Sequence, residues 1–63
     1  MKFLIYSSML CPYCDAAKRL LKKLKLDYSE ILIDNDPMVK KQMIKLSNRK
    51  TVPQIFFENI HIG

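Results

Sequence analysis

The chain has 63 residues, of which 49% are hydrophobic and 27% are charged. That length allows one small domain, and that balance excludes an intrinsically disordered chain. The net charge of +5 favours anionic ligands without identifying one. No apolar run approaches the roughly 20 residues that span a bilayer, and two cysteines are too few for a secreted domain held by several disulfides. We therefore predict a single domain over residues 1–63.

The N-terminal block from Met1 to Cys11 superficially resembles a lipoprotein signal, with a basic residue, apolar residues and then a cysteine. A secretory apolar region needs about 7–15 residues. Here Tyr6 and two serines interrupt the block early, so the sequence predicts a cytoplasmic protein. The segment Phe3–Tyr6 is apolar on consecutive residues, which is typical of a central strand covered by helices on both faces.

The segment Cys11-Pro12-Tyr13-Cys14 follows that strand and precedes a segment with helical periodicity. Two cysteines at this spacing can form a redox disulfide, supply half of a zinc site or hold part of an iron–sulfur cluster. A zinc ion or a cluster usually needs more protein ligands, and the chain offers only these two cysteines and the distant His61. The context therefore favours a redox-active dithiol.

Position gives the two cysteines different roles. If Cys11 lies just outside the helix and Pro12 is its first residue, the Cys11 sulfur faces the free N–H groups of the first turn, those of Tyr13 and Cys14. Those donors and the helix dipole favour the thiolate, which is the nucleophile. Cys14 lies one turn further in, where it is more buried and suits a resolving thiol that attacks a mixed disulfide on Cys11.

The rest of the chain alternates helical and extended patterns. Leucines at helical spacing predict an amphipathic helix from Pro12 to about Leu26, and we interpret its lysine-rich face as solvated rather than as a nucleic-acid site. Asp36 and Pro37 predict the start of a second helix that ends near Ser47–Asn48. Further strands are predicted over residues 28–33, 54–57 and 60–62. The expected order is β-α-β-α-β-β in the α/β class, a right-handed βαβ unit followed by an antiparallel hairpin.

The helical periodicity also predicts which side chains face the core. The expected inward-facing residues are Ala17, Leu20, Leu21 and Leu24 in the first helix, and Val39, Met43 and Leu46 in the second. Ile44 does not fit the second stripe.

Pro53 stands at the head of the third predicted strand. It removes a backbone donor there and leaves Val52 to offer its backbone to an extended ligand. A cis Val52–Pro53 bond would suit this role, although only about one X-Pro bond in twenty is cis.

Three motifs in register with these elements make the chain resemble the glutaredoxins. They are Cys11-Pro12-Tyr13-Cys14 behind a short strand, Thr51-Val52-Pro53-Gln54 before another strand, and His61-Ile62-Gly63 closing a hairpin. The resemblance covers essentially the whole chain. The Cys-Pro-Tyr-Cys form is similar to the dithiol class rather than to the monothiol Cys-Gly-Phe-Ser class, and the absence of Trp-Cys-Gly-Pro-Cys disfavours thioredoxin itself.

The resemblance implies a thioredoxin-like fold with a mixed four-stranded sheet and a glutathione site. It assigns Cys11 as the nucleophile and Cys14 as the resolving cysteine. Glutathione would contact Tyr13, Arg49, Thr51, Val52 and Pro53. Among these, Tyr13 would flank the tripeptide, Arg49 would attract its glycyl carboxylate, and Val52 would pair with its cysteinyl backbone as an added strand. Pro53 would be a cis proline beside the dithiol.

The implied function is a glutathione-dependent thiol–disulfide oxidoreductase that reduces protein disulfides and glutathione mixed disulfides. Glutathione would be a cosubstrate, with no tightly bound cofactor, no metal and no nucleic-acid or membrane partner. The protein partners would be disulfide-containing or glutathionylated, and NADPH would enter indirectly through glutathione reductase. Two alternatives stay open. One is a [2Fe–2S] scaffold in which each of two protomers gives Cys11 and a glutathione thiolate, and the other is a non-catalytic peptide-binding module that uses the Val52 edge.

Two departures from the family pattern stand out. Many relatives carry a lysine shortly before the dithiol, where this chain has Ser8. The family also continues past His61-Ile62-Gly63 with a second glycine, an acidic turn for the glutamyl end of glutathione and a final helix. Because the final helix is absent, either the sequence is truncated or the protein covers an apolar face of the sheet by self-association. We expect truncation, since a helix burying ~400 Å² of apolar area would contribute on the order of 10 kcal/mol gross.

Overall fold

The computed structural model describes residues 3–63, so Met1 and Lys2 of the N-terminal block lie outside the described residues. Its four strands are β1 (Phe3–Ser7), β2 (Tyr28–Leu32), β3 (Gln54–Phe57) and β4 (Ile60–His61). Its helices are α1 (Pro12–Lys23) and α2 (Pro37–Ser47). The predicted order β-α-β-α-β-β is confirmed. In the described part of the chain, neither helix combines the length and the apolar content needed to cross a membrane.

The four strands form one mixed sheet in the order β2-β1-β3-β4. β1 pairs in parallel with β2 and antiparallel with β3, and β3 pairs antiparallel with β4. β1 is therefore the central strand that its run of apolar residues predicts, and its residues Ile5, Tyr6 and Ser7 are buried. This order brings the end of β1, which leads to the dithiol, beside the start of β3, which follows Pro53.

The C-terminus of α1 differs from the prediction. The helix ends at Lys23 rather than near Leu26, because Lys25 adopts a left-handed conformation with φ 57°. The N–H of Lys25 donates to the Lys22 carbonyl and that of Leu26 to the Leu21 carbonyl, each at 3.0 Å, which forms a Schellman cap. Such a cap usually has glycine at the left-handed position, so the leucine periodicity carried the predicted helix past its real end.

α2 matches the prediction. The Asp36 carboxylate accepts from the N–H groups of Met38 and Val39, and Pro37 is the first helical residue. Asn48 follows the last turn with φ 58°, a left-handed conformation that asparagine tolerates. Both ends of α2 thus have a visible signal in the sequence.

The core between α2 and the sheet is built around Tyr6, Met43 and Phe56. The Tyr6 and Phe56 rings meet edge to face with centroids 5.7 Å apart. Partly buried side chains pack around this cluster: Leu4, Ile31, Ile33, Val39, Ile44 and Val52. Ile44, which fits no predicted stripe, is therefore a core residue.

α1 covers the opposite face of the sheet. Because side chains alternate along a strand, the neighbours of Tyr6 in β1 point away from α2. From α1, Cys14 and Leu21 are buried and Ala17 is half-buried, a row spaced by three and four residues. Three leucines predicted to face inward are instead more than half exposed: Leu20 at 56%, Leu24 at 57% and Leu46 at 52%. The buried stripe of α1 is one row wide, and Leu20 and Leu24 lie on the row beside it.

Candidate active site

The dithiol lies at the junction between β1 and α1. After Ser7 a short loop leads to Cys11, the N-cap of α1, whose backbone is extended with φ −138° and ψ 102°. Pro12 follows as the first helical residue, where its missing N–H would have had no intrahelical partner. The sequence therefore places a sulfur atom at the positive end of the α1 dipole.

The Cys11 sulfur contacts two backbone groups. It accepts a hydrogen bond from the Cys14 N–H at 3.2 Å, which is one of the two predicted donors. On another side the Cys11 thiol donates to the Val52 carbonyl oxygen at 3.9 Å, across 41 positions of the chain. The contacts bring Cys11, Cys14 and Val52 together at one site, and both cysteines are in the free thiol form.

Cys14 is fully buried, with 0% of its surface exposed. Burial is the main reason that the pKa of the Cys14 thiol rises to about 11, and the side-chain hydrogen bond with Cys11 raises it further. Cys14 is therefore protonated near neutral pH. The two thiols differ in exposure as their predicted roles require, since Cys11 is half-buried and reachable from solvent.

The Val52 loop is fastened by a chain of hydrogen bonds from β4. The His61 Nε2 lies 2.7 Å from the Gln54 Oε1, and the Gln54 amide donates to the Thr51 carbonyl at 2.9 Å. Because the Gln54 amide nitrogen already donates to Thr51, its oxygen is left to accept from a protonated His61 Nε2. His61 therefore has a structural partner in Gln54. The Val52–Pro53 bond is cis, as the resemblance implies.

The other candidate glutathione residues lie on the surface around these atoms. Tyr13 is 79% exposed beside Cys11, and Thr51 is exposed next to Val52. Arg49 is also exposed, and its backbone N–H is held by the Ser47 hydroxyl at 3.1 Å. Within residues 3–63, no hydrogen bond or ion pair ties the Arg49 guanidinium to the dithiol.

A polar cluster beneath the dithiol was missed by the sequence reasoning. The buried Ser7 hydroxyl donates to a Glu30 carboxylate oxygen at 2.5 Å, and the Lys18 ammonium donates to the same oxygen at 2.9 Å. The Ser7 hydroxyl and then Lys18 lower the pKa of Glu30, while Glu30 raises the pKa of Lys18. These residues are far apart in the sequence, and only the pairing of β1 with β2 and the packing of α1 reveal the cluster.

A second missed contact holds the loop before the dithiol. One Asp34 carboxylate oxygen accepts from the Ser8 hydroxyl at 2.6 Å, and the other accepts from the Met9 N–H at 2.8 Å. The Ser8 bond, followed by the Met9 bond, lowers the pKa of Asp34. Ser8 thus anchors the loop before the dithiol to the segment that follows β2.

Comparison with known proteins is consistent with this geometry. A family model described as Glutaredoxin matches residues 3–62. Glutaredoxin 3 of Escherichia coli K12 is 46% identical over 59 residues, an alignment that covers 94% of this chain and 71% of the relative. The chain spans less of some other relatives, for example 61% of glutaredoxin 1 from Rickettsia felis.

Solved structures show the same fold. The solution structure of glutaredoxin from Brucella melitensis superposes with a TM-score of 0.84 at 36% identity, covering 100% of this chain and 68% of that one. The crystal structure of a buckwheat glutaredoxin–glutathione complex gives a TM-score of 0.87 at 26% identity and covers 97% and 58%. The fold is therefore thioredoxin-like, and the match over residues 3–62 shows that the chain belongs to the glutaredoxin family.

Proposed function

We propose that this chain is a glutathione-dependent thiol–disulfide oxidoreductase that reduces glutathione mixed disulfides and protein disulfides. The observation that carries the proposal is the position of the Cys11 sulfur, which caps α1 at 3.2 Å from the Cys14 N–H and lies beside the Val52 carbonyl. Backbone donors at a helix N-terminus stabilise a thiolate nucleophile. The complex of the buckwheat relative supports glutathione as the cosubstrate.

With a glutathione mixed disulfide, the Cys11 thiolate attacks the glutathionyl sulfur. A Cys11–glutathione disulfide forms, the disulfide to the target protein breaks, and the target sulfur leaves as a thiolate that takes a proton from water. A second glutathione, as its thiolate, then attacks the glutathionyl sulfur on Cys11. Glutathione disulfide is released and the Cys11 thiolate is restored, so this route does not use Cys14.

With a protein disulfide, Cys11 attacks one target sulfur and the other leaves. Cys14 then loses its proton and attacks the Cys11 sulfur, which releases the reduced target and leaves a Cys11–Cys14 disulfide. Two glutathione molecules reduce that disulfide, and a separate glutathione reductase returns their electrons from NADPH. The raised pKa of Cys14 makes its deprotonation the demanding part of this route.

We propose that glutathione lies along Val52, pairing its cysteinyl backbone with the Val52 backbone in the manner of an added strand. Tyr13, Thr51 and Pro53 would line this position, and Arg49 would attract the glycyl carboxylate. The net charge of +5 supports an anionic tripeptide. Glutathione would bind and be released in each catalytic cycle as a cosubstrate, so the proposal includes no tightly bound cofactor. We further propose a single domain that works in the cytoplasm, where a reduced glutathione pool exists.

The test compares Cys11→Ser and Cys14→Ser with the unaltered chain on two substrates, a glutathione mixed disulfide of 2-mercaptoethanol and a protein disulfide. Turnover is followed through NADPH oxidation by added glutathione reductase. We expect Cys11→Ser to abolish both reactions and Cys14→Ser to spare the first. Equal losses in the two variants would refute the assignment of roles.

The same proteins separate the two alternatives. Visible absorbance after anaerobic reconstitution with iron, sulfide and glutathione, in a chain without turnover, would favour the cluster scaffold. Peptide binding that survives Cys11→Ser, again without turnover, would favour a binding module at the Val52 edge.

A further inference from the structure

Two large apolar side chains lie next to Cys11 on the protein surface. Leu10, immediately before Cys11, is 96% exposed, and Met9 is 69% exposed. A leucine that folding leaves almost fully in water contributes nothing to the core. Contiguous apolar exposure next to a reactive atom is typical of an interaction surface.

These side chains border a groove, which we call the leucine groove. It has a volume of about 290 Å³ and is lined by Met9, Leu10, Cys11, Pro12 and Asp15. Pockets for drug-sized ligands are typically about 300–1,000 Å³. The leucine groove is shallow and largely open to solvent, so it offers a surface on which one apolar side chain can pack rather than an enclosed ligand pocket.

The loop that forms the leucine groove is held in place. The Asp34 carboxylate accepts from the Ser8 hydroxyl at 2.6 Å and from the Met9 N–H at 2.8 Å. On the other side Cys11 is fixed as the N-cap of α1. Because both ends of the loop are anchored, little ordering is needed when a partner binds, which favours affinity.

Charge distinguishes the leucine groove from the Val52 side of Cys11. The charged residue that lines the groove is Asp15, whose carboxylate lies 3.6 Å from the Lys18 ammonium. The segment before Val52 instead carries Arg49 and Lys50. An anionic ligand such as glutathione is favoured beside the two cations, whereas the groove, which is lined by apolar side chains and by a carboxylate already paired with Lys18, favours an uncharged apolar side chain.

We propose that the leucine groove docks a polypeptide substrate, taking up an apolar side chain next to the target cysteine. This inference rests on the proposed function, because it names the substrate class that reaches Cys11. In a disulfide the two Cα atoms lie about 4.4–6.8 Å apart, so the residues flanking a target cysteine joined to Cys11 must pass over the neighbours of Cys11. Leu10 and Met9 are thereby specificity-determining residues for protein targets.

The experiment measures the first chemical step without glutathione. Two peptides differ only in the residue before their cysteine, which is leucine or serine, and each cysteine is activated as a 2-thiopyridyl disulfide. Cys11 attacks the peptide sulfur, a Cys11–peptide disulfide forms, and thiopyridone leaves and is followed by its absorbance. The Cys14→Ser background stops the reaction at that disulfide. Each rate constant is divided by that of the same peptide with free glutathione.

We expect the normalised rate constant to be about tenfold higher for the leucine peptide. Leu10→Thr should reduce that ratio several-fold. Ile60→Thr is the matched control, since Ile60 is 66% exposed and lies in β4, and it should leave the ratio unchanged. Equal rate constants for the two peptides, or a ratio that Leu10→Thr does not change, would overturn the docking proposal.

This outcome is separable from that of the proposed function. Turnover of the 2-mercaptoethanol mixed disulfide without discrimination between the peptides removes only the leucine groove as a docking site. Discrimination between the peptides without glutathione-dependent turnover keeps the groove and removes the glutathione cycle.

Discussion

The two helices of this chain begin in the same way, and they differ in the atom that caps them. Cys11 and Asp36 both have an extended backbone, with φ −138° in each case and ψ 102° and 94°. A proline follows each as the first helical residue. The backbone thus forms the same donor-rich N-terminus twice, once on each face of the sheet.

The caps use that N-terminus differently. The Asp36 carboxylate accepts from Met38 at 3.1 Å and Val39 at 3.3 Å. The Cys11 sulfur accepts a hydrogen bond from the Cys14 N–H at 3.2 Å, and it is an atom that can form a disulfide bond with another sulfur. The comparison teaches that the same helix-capping geometry can hold either a carboxylate oxygen or a sulfur atom, and that only the sulfur can form a disulfide bond.

The largest expected effect comes from exchanging the capping atom of α1. Cys11→Ser should reduce disulfide turnover to the uncatalysed level, because the nucleophile is lost. Serine is itself a good N-cap, so its free energy of unfolding should stay close to that of the unaltered chain, whereas Cys11→Ala should lower it by about 1 kcal/mol. Urea denaturation under reducing conditions measures both. A Cys11→Ala chain as stable as the unaltered chain would show that the sulfur is not acting as a cap.

The next largest effect is expected at the third residue of each helix, and it concerns the pH dependence of the free energy of unfolding. Val39 in α2 does not ionise, whereas the pKa of the buried Cys14 in α1 is raised to about 11. A raised pKa in the folded state means that stability is complete below the ordinary thiol pKa and falls as the pH rises toward 11. We expect a loss of about 2 kcal/mol between pH 9 and pH 11.

The measurement is urea denaturation of the reduced chain across that pH range. Cys14→Val makes the first turn of α1 similar to that of α2 and should flatten this part of the profile. If the variant and the unaltered chain show the same alkaline slope, the buried thiol is not its source.

A smaller effect is expected at the cap of α2. Asp36→Ala should lower the free energy of unfolding by about 1 kcal/mol, because two N–H groups lose their acceptor. Asp36→Asn is the control and should retain most of the stability. Neither change should alter disulfide turnover in folded protein, and a specific loss of turnover would contradict the separation of the two N-termini.

The smallest effect concerns the helix C-termini, which also share a conformation. Lys25 after α1 has φ 57° and Asn48 after α2 has φ 58°. Lysine is less comfortable there than asparagine or glycine. Lys25→Gly should therefore raise the thermal midpoint, by the equivalent of about 0.5–1 kcal/mol. Arg19→Gly, at an exposed position in the middle of α1, should lower it by about 1 kcal/mol. Equal changes in both variants would argue against the cap.

The starts of both helices could be predicted because their signals are local. Cys11-Pro12 and Asp36-Pro37 each combine a capping side chain with a proline, a residue that an α-helix tolerates only in its first turn. The end of α1 could not be predicted, since lysine at the left-handed position gives no signal. The exposure of Leu20 and Leu24 also escaped the pattern, because periodicity does not show how wide a stripe the sheet covers.

The candidate site also contains some features that have a local sequence signal and others that depend on long-range contacts. The dithiol and the Val52 segment could be located from short motifs, and the order of the strands brings them together. The bonds of Glu30 and Asp34 depend on the register between β1 and β2 and on the path of the loop after Ser7. Such long-range contacts between ordinary polar residues carry no mark in the sequence.

The strand order also places two parts of the molecule at opposite ends of β1, which we call its poles: the dithiol, and the hairpin turn between β3 and β4. The dithiol follows the C-terminal end of β1, whereas Phe3 at its start pairs with Phe57, just before the turn at Glu58 and Asn59. With five residues in β1 at about 3.3 Å each, the poles are at least a strand length apart. A fluorophore or a fused reporter domain attached at Asn59 would leave the approach to Cys11 open. The hairpin turn is therefore a practical handle for turning this chain into a redox biosensor.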